Sequence, residues 1–523
     1  MLVLILLVPI WQAKYFLSND GPCHLYNSKL ILDFVLGNHT DFYSEYYKLN
    51  SHAEPNWFSH ASLALLLFFL PAFLAEKILL TAYVLLFAFS FRFLIRQINP
   101  QSTFLIFPAL LFVYHFVFQM GFWNFSFSIA FFFLVIAFWM KFENQWTTRR
   151  LLLLSVLLTT LYFMHPVGLM LTIFSIALIT AIRFFSVLIT PSTERNWKPW
   201  IKTFLYSVGA ALPAIILSIN YLSRSGTGTT PAAYSQKFLR HYFLELKSLV
   251  ILNHTEDLIA MMVSVFIGII FLIAFVNRIR AKKMFPADSF LLLFFISLYL
   301  YLHQPASLGG VGIVPERLLF IPFLLAIIWA ANANFHTTIK KLVAIFSLVF
   351  LCIFMYLRLP VYQKNSDAVK EYLSVGDYIE DESTILPLSF AHAGFTPDGK
   401  PISDRIWVFI HATDYLGTMK PLIMFGNYEA NTGWFPLIWK GSRNPFQHIS
   451  KDAGIEGLPP SVDLLNYKAN TGGSIDYVLL WCFDFADKTQ LPVQDLISQL
   501  DQEYQLIFVS EHSRAKLYRH KIL

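Results

Sequence analysis

Apolar runs of membrane-crossing length recur from the first residue to about position 360 and then stop, and this succession decides what the chain can fold into. They begin near Met1, Phe58, Lys77, Thr103, Asn124, Leu151, Val167, Trp200, Leu258, Ser289, Leu319 and Lys341. With 523 residues, 56% hydrophobic and only 14% charged, and a mean hydropathy of +0.55, the chain carries more apolar surface than one soluble core can bury. It reads as an α-helical polytopic membrane protein. The net charge of +6 is spread as Lys and Arg between the apolar runs, which excludes the concentrated basic face of a nucleic-acid binder. Cys23, Cys352 and Cys482 lie too far apart in sequence to define a disulfide framework or a metal-ligand spacing.

The loop charges predict the topology, because Lys and Arg near span ends stay in the cytoplasm. The basic clusters are Arg92 with Arg96; Lys141 with Arg149 and Arg150; Arg183, Arg195, Lys198 and Lys202; Arg278, Arg280, Lys282 and Lys283; and Lys340 with Lys341. Met1 to Leu17 lacks a basic leader and a small-residue cleavage site, so it reads as an uncleaved first span. A full span at Phe58 to Leu74 would then carry Arg92 and Arg96 to the wrong side. That run holds Ser59, His60, Ser62 and Pro71, and reads as an interfacial or re-entrant helix instead. About eleven spans plus juxtamembrane helices remain. The N-terminus is expected in the cytoplasm and everything after Pro360 outside, in the plasma (inner) membrane. If Met1 to Leu17 is not a span, Asp20 lies on the cytoplasmic side.

Two domains follow: a membrane domain over 1–359, with long external loops at 18–76 and 223–257, and a soluble extracytoplasmic α/β domain over 360–523. In the first loop, Leu30, Ile31, Phe34 and Val35 recur at helical spacing before Gly37. The second opens with the flexible stretch Ser223 to Pro231 and becomes a basic amphipathic segment with Lys237, Arg240, His241 and Lys247. In the tail, 367–378 and 493–503 read as helices, and 383–390, 476–481, 505–510 and 516–519 as strands. No glycine loop for phosphate opens any of the tail helices.

The residues able to carry chemistry gather at span exits. Asp20, in Ser18-Asn19-Asp20-Gly21-Pro22-Cys23-His24, is a carboxylate at the end of the first apolar run, a costly place for charge that suits a base or a cation ligand. Its structural alternative is an Asx turn or helix cap ahead of Gly21-Pro22. His24 is a candidate ligand or donor beside it, and Glu54 a candidate second carboxylate or a solvated loop residue. Arg240 with His241, and Arg317 ahead of an external span end, are candidate cations for a phosphate; for Arg317 the alternatives are a local pair with Glu316 or headgroup contact, and Lys237 and Lys247 are expected at lipid headgroups.

An Asp just after the first span, a long first external loop with a Pro-containing segment before an apolar run (His52 to Leu74), a following span ending in Arg92 and Arg96, a second long loop and an external α/β tail together make the chain resemble the GT-C superfamily of polytopic glycosyltransferases. The resemblance implies transfer of a sugar from a polyprenyl-phosphate carrier to a glycan, lipid or protein acceptor of the cell envelope, with no nucleic-acid partner. It implies that Asp20, helped by His24, is the catalytic or metal-associated carboxylate, and that Arg240, His241 and Arg317 bind the donor phosphate. The paired acidic residue of many relatives is Gly21 here, which leaves a divalent cation open. Two other classes share the architecture: a lipid or polysaccharide transporter, and a non-catalytic glycan-binding membrane protein. Charges gathered at one face, with spans nearly free of them, favour surface chemistry over a path through the bilayer.

Overall fold

A computed structural model describes residues 2–143, 145–188, 196–225, 229–230, 234–281, 285–304, 307–308 and 313–521. Parts of the Ser223 to Pro231 stretch and the Gly309 to Gly312 run lie outside them. The described chain is mostly helical, with a small sheet near the C-terminus. Among the described residues, seven helices are long and apolar enough to cross a membrane: Ala72–Ile98, Trp123–Phe142, Pro166–Val187, Lys198–Arg224, His254–Ala281, Pro286–His303 and Thr337–Tyr378.

The remaining apolar runs form shorter pieces. Leu2–Trp11 has 10 residues and Thr148–Met164 has 17. The run near Thr103 divides into a 3-10 turn, Pro100–Leu105, and the five-residue Ile106–Leu110, and the run near Leu319 divides at Phe320 into Val314–Leu319 and Ile321–Ala330. Proline early in Pro100–Leu105, Val314–Leu319 and Ile321–Ala330 starts a new helix rather than continuing one. Every residue of Ile321–Ala330 is buried, so its apolarity fills a protein core. A hydropathy window does not separate a buried helix from a lipid-facing one.

The chain divides into two compact units that interleave in sequence. One comprises Met1–Leu6, Ala82–Phe118 and Trp123–Leu357; the other comprises Leu7–Thr81, Gln119–Phe122 and Arg358–Leu523. A cut at 359/360 leaves the first loop with the membrane helices, whereas residues 7–81 pack with the tail. In the first unit the four helices from Trp123 to Ser225 pack on one another, and Ile321–Ala330 lies against Asp257–Ala281 and Ser289–His303. Polar groups there are paired inside the bundle: Trp139 Nε1 donates to Ser207 Oγ at 2.8 Å, and Asp288 accepts from Arg278 at 2.6 Å and from Trp329 Nε1 at 3.0 Å.

The second unit is built on a five-stranded sheet. Its strands are β1 (Ser383–Ser389), β2 (Leu422–Met424), β3 (Tyr477–Trp481), β4 (Tyr504–Val509) and β5 (Ala515–His520), in the order β2-β1-β3-β5-β4. β1 pairs in parallel with β2 and β3, and β5 runs antiparallel to β3 and β4. β1, β2 and β3 are buried at every position, as continuous apolar runs require. The expected tail strands match β1, β3, β4 and β5; the three-residue β2 was not expected.

The first loop is fastened to this sheet. Helix α1 (Gly21–Leu36) starts at Gly21-Pro22 and ends at Gly37, whose φ of 77° is the left-handed stop a helix C-terminus favours. Helix α2 (Phe58–Leu67), ten residues long, packs on α1, and α3 (Asp414–Met419) packs on the same helix from the tail. From α1, Tyr26 donates its hydroxyl to the Leu422 carbonyl at 2.7 Å and accepts from Met424 N–H at 3.2 Å. Residues Tyr47–Leu49 form an antiparallel ladder with Leu437–Trp439, and the Tyr47 and Trp439 rings lie 4.2 Å apart. Gly417 of α3 lets the Tyr26 ring approach: a Cβ there would sit 2.4 Å from two ring carbons. Gly417→Ala is expected to destabilise the chain by about 1–3 kcal/mol, the usual cost of overpacking, read as a lower Tm in detergent.

Candidate functional site

Asp20 is held first through its backbone. Its N–H donates to the Met120 carbonyl at 3.1 Å and that of Asn19 to the Gln119 carbonyl at 3.2 Å. Gln119 is held in turn: its Nε2 donates to the Leu17 carbonyl at 2.7 Å, and its Oε1 accepts from Tyr362 at 2.8 Å. Gly121 makes the close approach feasible. Its φ is 87°, and a Cβ there would lie 2.7 Å from Asp20 N and 2.8 Å from Asp20 Cβ. Asp20 occupies the N-cap position of α1, but its side chain makes no cap hydrogen bond. The buried carboxylate instead accepts from Asn19 Nδ2 at 2.7 Å and lies within hydrogen-bonding reach of the Tyr428 phenol. The expected alternative of a capping Asp is therefore not what this side chain does.

One turn into α1, His24 faces a residue from the far end of the sequence. Its Nδ1 makes a very close ion-pair contact with Glu429, the first residue of α4 (Glu429–Thr432), and its Nε2 lies 2.8 Å from the Gly121 carbonyl. The same carboxylate meets His60 Nε2, from the first turn of α2, at 2.9 Å, while His60 Nδ1 lies 3.3 Å from the Asn56 carbonyl. Asn27, one turn beyond His24, donates to Glu429 at 2.6 Å and is tied to Asn427. The two imidazoles meet edge to face at 4.9 Å, with the Phe435 ring beside both. His24, His60 and Glu429 are all buried. Burial works against charge on His24 and Glu429, but attraction outweighs it: the Glu429 carboxyl is held below the usual carboxylate range by the two histidines, and His24 is raised by Glu429, Asp20 and the Gly121 carbonyl.

More ionisable groups surround this core. Cys23 on α1 lies against the buried Asp414, whose carboxyl burial pushes well up. His411 stacks on Tyr428 at 4.6 Å and lines a small cleft with His392 and Glu456. Burial pushes His411 down to about 3. Burial first, and then the charge of Asp20, pushes the Glu456 carboxyl up to about 7.

Of the residues singled out in the sequence, Asp20, His24 and Glu54 belong to this unit. Glu54 is 2% exposed, so it is not a solvated loop residue: the turn that enters α2 carries it inside. Arg240, His241 and Arg317 belong to the other unit. Arg240 is exposed and bonds Gln236 at 3.3 Å, and His241 pairs with Glu245 one turn on, at 3.0 Å. Arg317 lies 2.7 Å from His165 Nε2 and 5.8 Å from the centre of the Phe125 ring, so its guanidinium has a specific protein setting. Lys247, expected at headgroups, is instead paired with Glu245 and Asp257, each at 2.9 Å. His60 and Glu429 carry no local spacing signal, since 369 positions separate them. No protein-family model and no curated protein sequence matches the chain.

The raised Glu456 carboxyl has a definite pH signature. Its neutral form is favoured on folding, so it costs nothing below the ordinary 4.5 and an increasing amount as pH rises toward about 7. With 38% of the side chain exposed, solvent moderates the effect. Glu456→Gln is expected to raise Tm at about pH 8 and to leave it unchanged near pH 4, measured by thermal unfolding in detergent.

Proposed function

We propose that the protein is an integral membrane glycosyltransferase moving a sugar from a polyprenyl-phosphate carrier to a cell-envelope acceptor. The reading places the reaction at the outer face of the plasma (inner) membrane, with the N-terminus cytoplasmic, about eleven crossings and the tail extracytoplasmic. The observation that carries it is the Asp20 carboxylate. It is buried, it begins a helix it does not cap, and backbone hydrogen bonds hold it among His24, Tyr428 and Glu456. A structural aspartate at that position is normally spent on the helix N-terminus; here its side chain is turned to Asn19 and Tyr428 instead.

In this mechanism Asp20 takes the proton of the acceptor hydroxyl as its oxygen attacks the anomeric carbon. The bond from that carbon to the carrier phosphate breaks, and the phosphate departs as an anion. Tyr428 and Asn19 orient the carboxylate. Arg317, which has Phe125 and His165 beside it, and Arg240 with His241 on the amphipathic helix Gln236–Leu244 are proposed to bind the anionic carrier. Tight pairing of Asp20 to loop 119–122 limits the motion of the base.

Asp20→Asn, purified with unchanged Tm, is expected to lower transfer from a carrier-linked sugar in proteoliposomes by about 10²–10⁴-fold, the usual weight of a general base. Arg317→Ala is expected to lower transfer as well, with the larger part in KM for the carrier. Full turnover in Asp20→Asn would overturn the reading, and carrier movement across the bilayer without transfer would replace it with the transporter.

A further inference from the structure

We infer that His24, His60 and Glu429 form a binding site for one borderline divalent transition ion of the Zn²⁺ or Co²⁺ kind. The inference stands independently of the glycosyltransferase reading. Its basis is the way the nitrogens are turned. Each imidazole gives its outer nitrogen to a backbone carbonyl, His24 Nε2 to Gly121 at 2.8 Å and His60 Nδ1 to Asn56 at 3.3 Å. A histidine that ligates a metal is oriented in this way, the outer N–H bonded to a carbonyl and the inner nitrogen presented to the ion.

The inner nitrogens, His24 Nδ1 and His60 Nε2, both face the one carboxylate of Glu429, and the three ligand atoms lie within 4.8 Å of one another. A divalent ion placed between them would take both nitrogens and the carboxylate as ligands. An ion about 2.0–2.2 Å from each ligand needs ligand atoms about 3–4 Å apart, a small outward rotation from the present contacts.

The donor set selects the ion. Two imidazoles and one carboxylate suit Zn²⁺, Co²⁺ or Fe²⁺ and leave room for a further ligand, whereas Mg²⁺ and Ca²⁺ require oxygen shells that this site does not offer. The bound ion would cross-link three segments of the second unit, through α1, α2 and α4. Asn27, which donates to Glu429 at 2.6 Å, steadies the carboxylate from outside, and Phe435 limits water on one side.

The test uses the full chain purified in detergent, stripped with a chelator and passed back through Zn²⁺ or Co²⁺. The expected result is about one ion per chain by elemental analysis, a higher Tm on loading, and no comparable retention of Mg²⁺. His60→Ala and Glu429→Gln should each lose stoichiometric loading, while His411→Gln, an adjacent histidine outside the triad, should keep it. X-ray absorption of the Zn²⁺-loaded wild-type protein should show scattering from two imidazoles, a readout that does not depend on any variant folding. Folded wild-type protein that retains no ion, an ion without two-histidine scattering, or loading that persists in both ligand variants would each overturn the inference.

Discussion

A single buried carboxylate shared by two imidazoles underlies the second unit. Glu429 meets His24 from α1 and His60 from α2, and removing it would leave two buried rings without their common partner. Breaking such a buried pair from one side costs about 3–5 kcal/mol, far more than an exposed pair contributes. Around it the other fastenings are cooperative. The Tyr26 hydroxyl spans Leu422 and Met424, the Tyr47–Leu49 ladder holds Leu437–Trp439, and Asn27 and Asn427 bond each other reciprocally. Each places α1 or its loop on the tail, so the polar cluster inherits its geometry from ordinary sheet and helix packing.

The site is crowded with groups of both signs, and burial sorts them. His24 and Glu429 hold charge because they face each other, whereas burial drives Asp414 and Glu456 toward neutrality. Asp20 lies among these groups, bonded to Asn19 and within reach of Tyr428. Divergent protonation within one small volume is what acid and base chemistry draws on.

Much of the architecture was readable in the sequence because it rests on local patterns. The helix before Gly37, the short helix at Phe58 and four of the five tail strands follow from periodicity and turn residues. The span count did not follow so directly, because Ile321–Ala330 is as apolar as a lipid-facing helix while being wholly buried, and prolines divide runs that hydropathy joins. Asp20 and His24 could be picked out because an exit from an apolar run is an unusual place for them. Their partners could not: Glu429 begins a four-residue helix in an undistinguished loop, and it reaches His60 through long-range pairings such as that of residues 47–49 with 437–439. The burial of Glu54 was missed for the same reason.

The ladder between Tyr47–Leu49 and Leu437–Trp439 sets an order for biogenesis. A ribosome releases the first loop long before the tail exists, so α1 and α2 emerge with their imidazoles and strand edge unmatched and remain so while every intervening helix is synthesised. Only when the final fifth of the polypeptide arrives can that edge be closed. Truncation near the C-terminus therefore damages the N-terminal loop as surely as a lesion within it, and an early stop codon would yield a membrane bundle bearing an open, aggregation-prone flap.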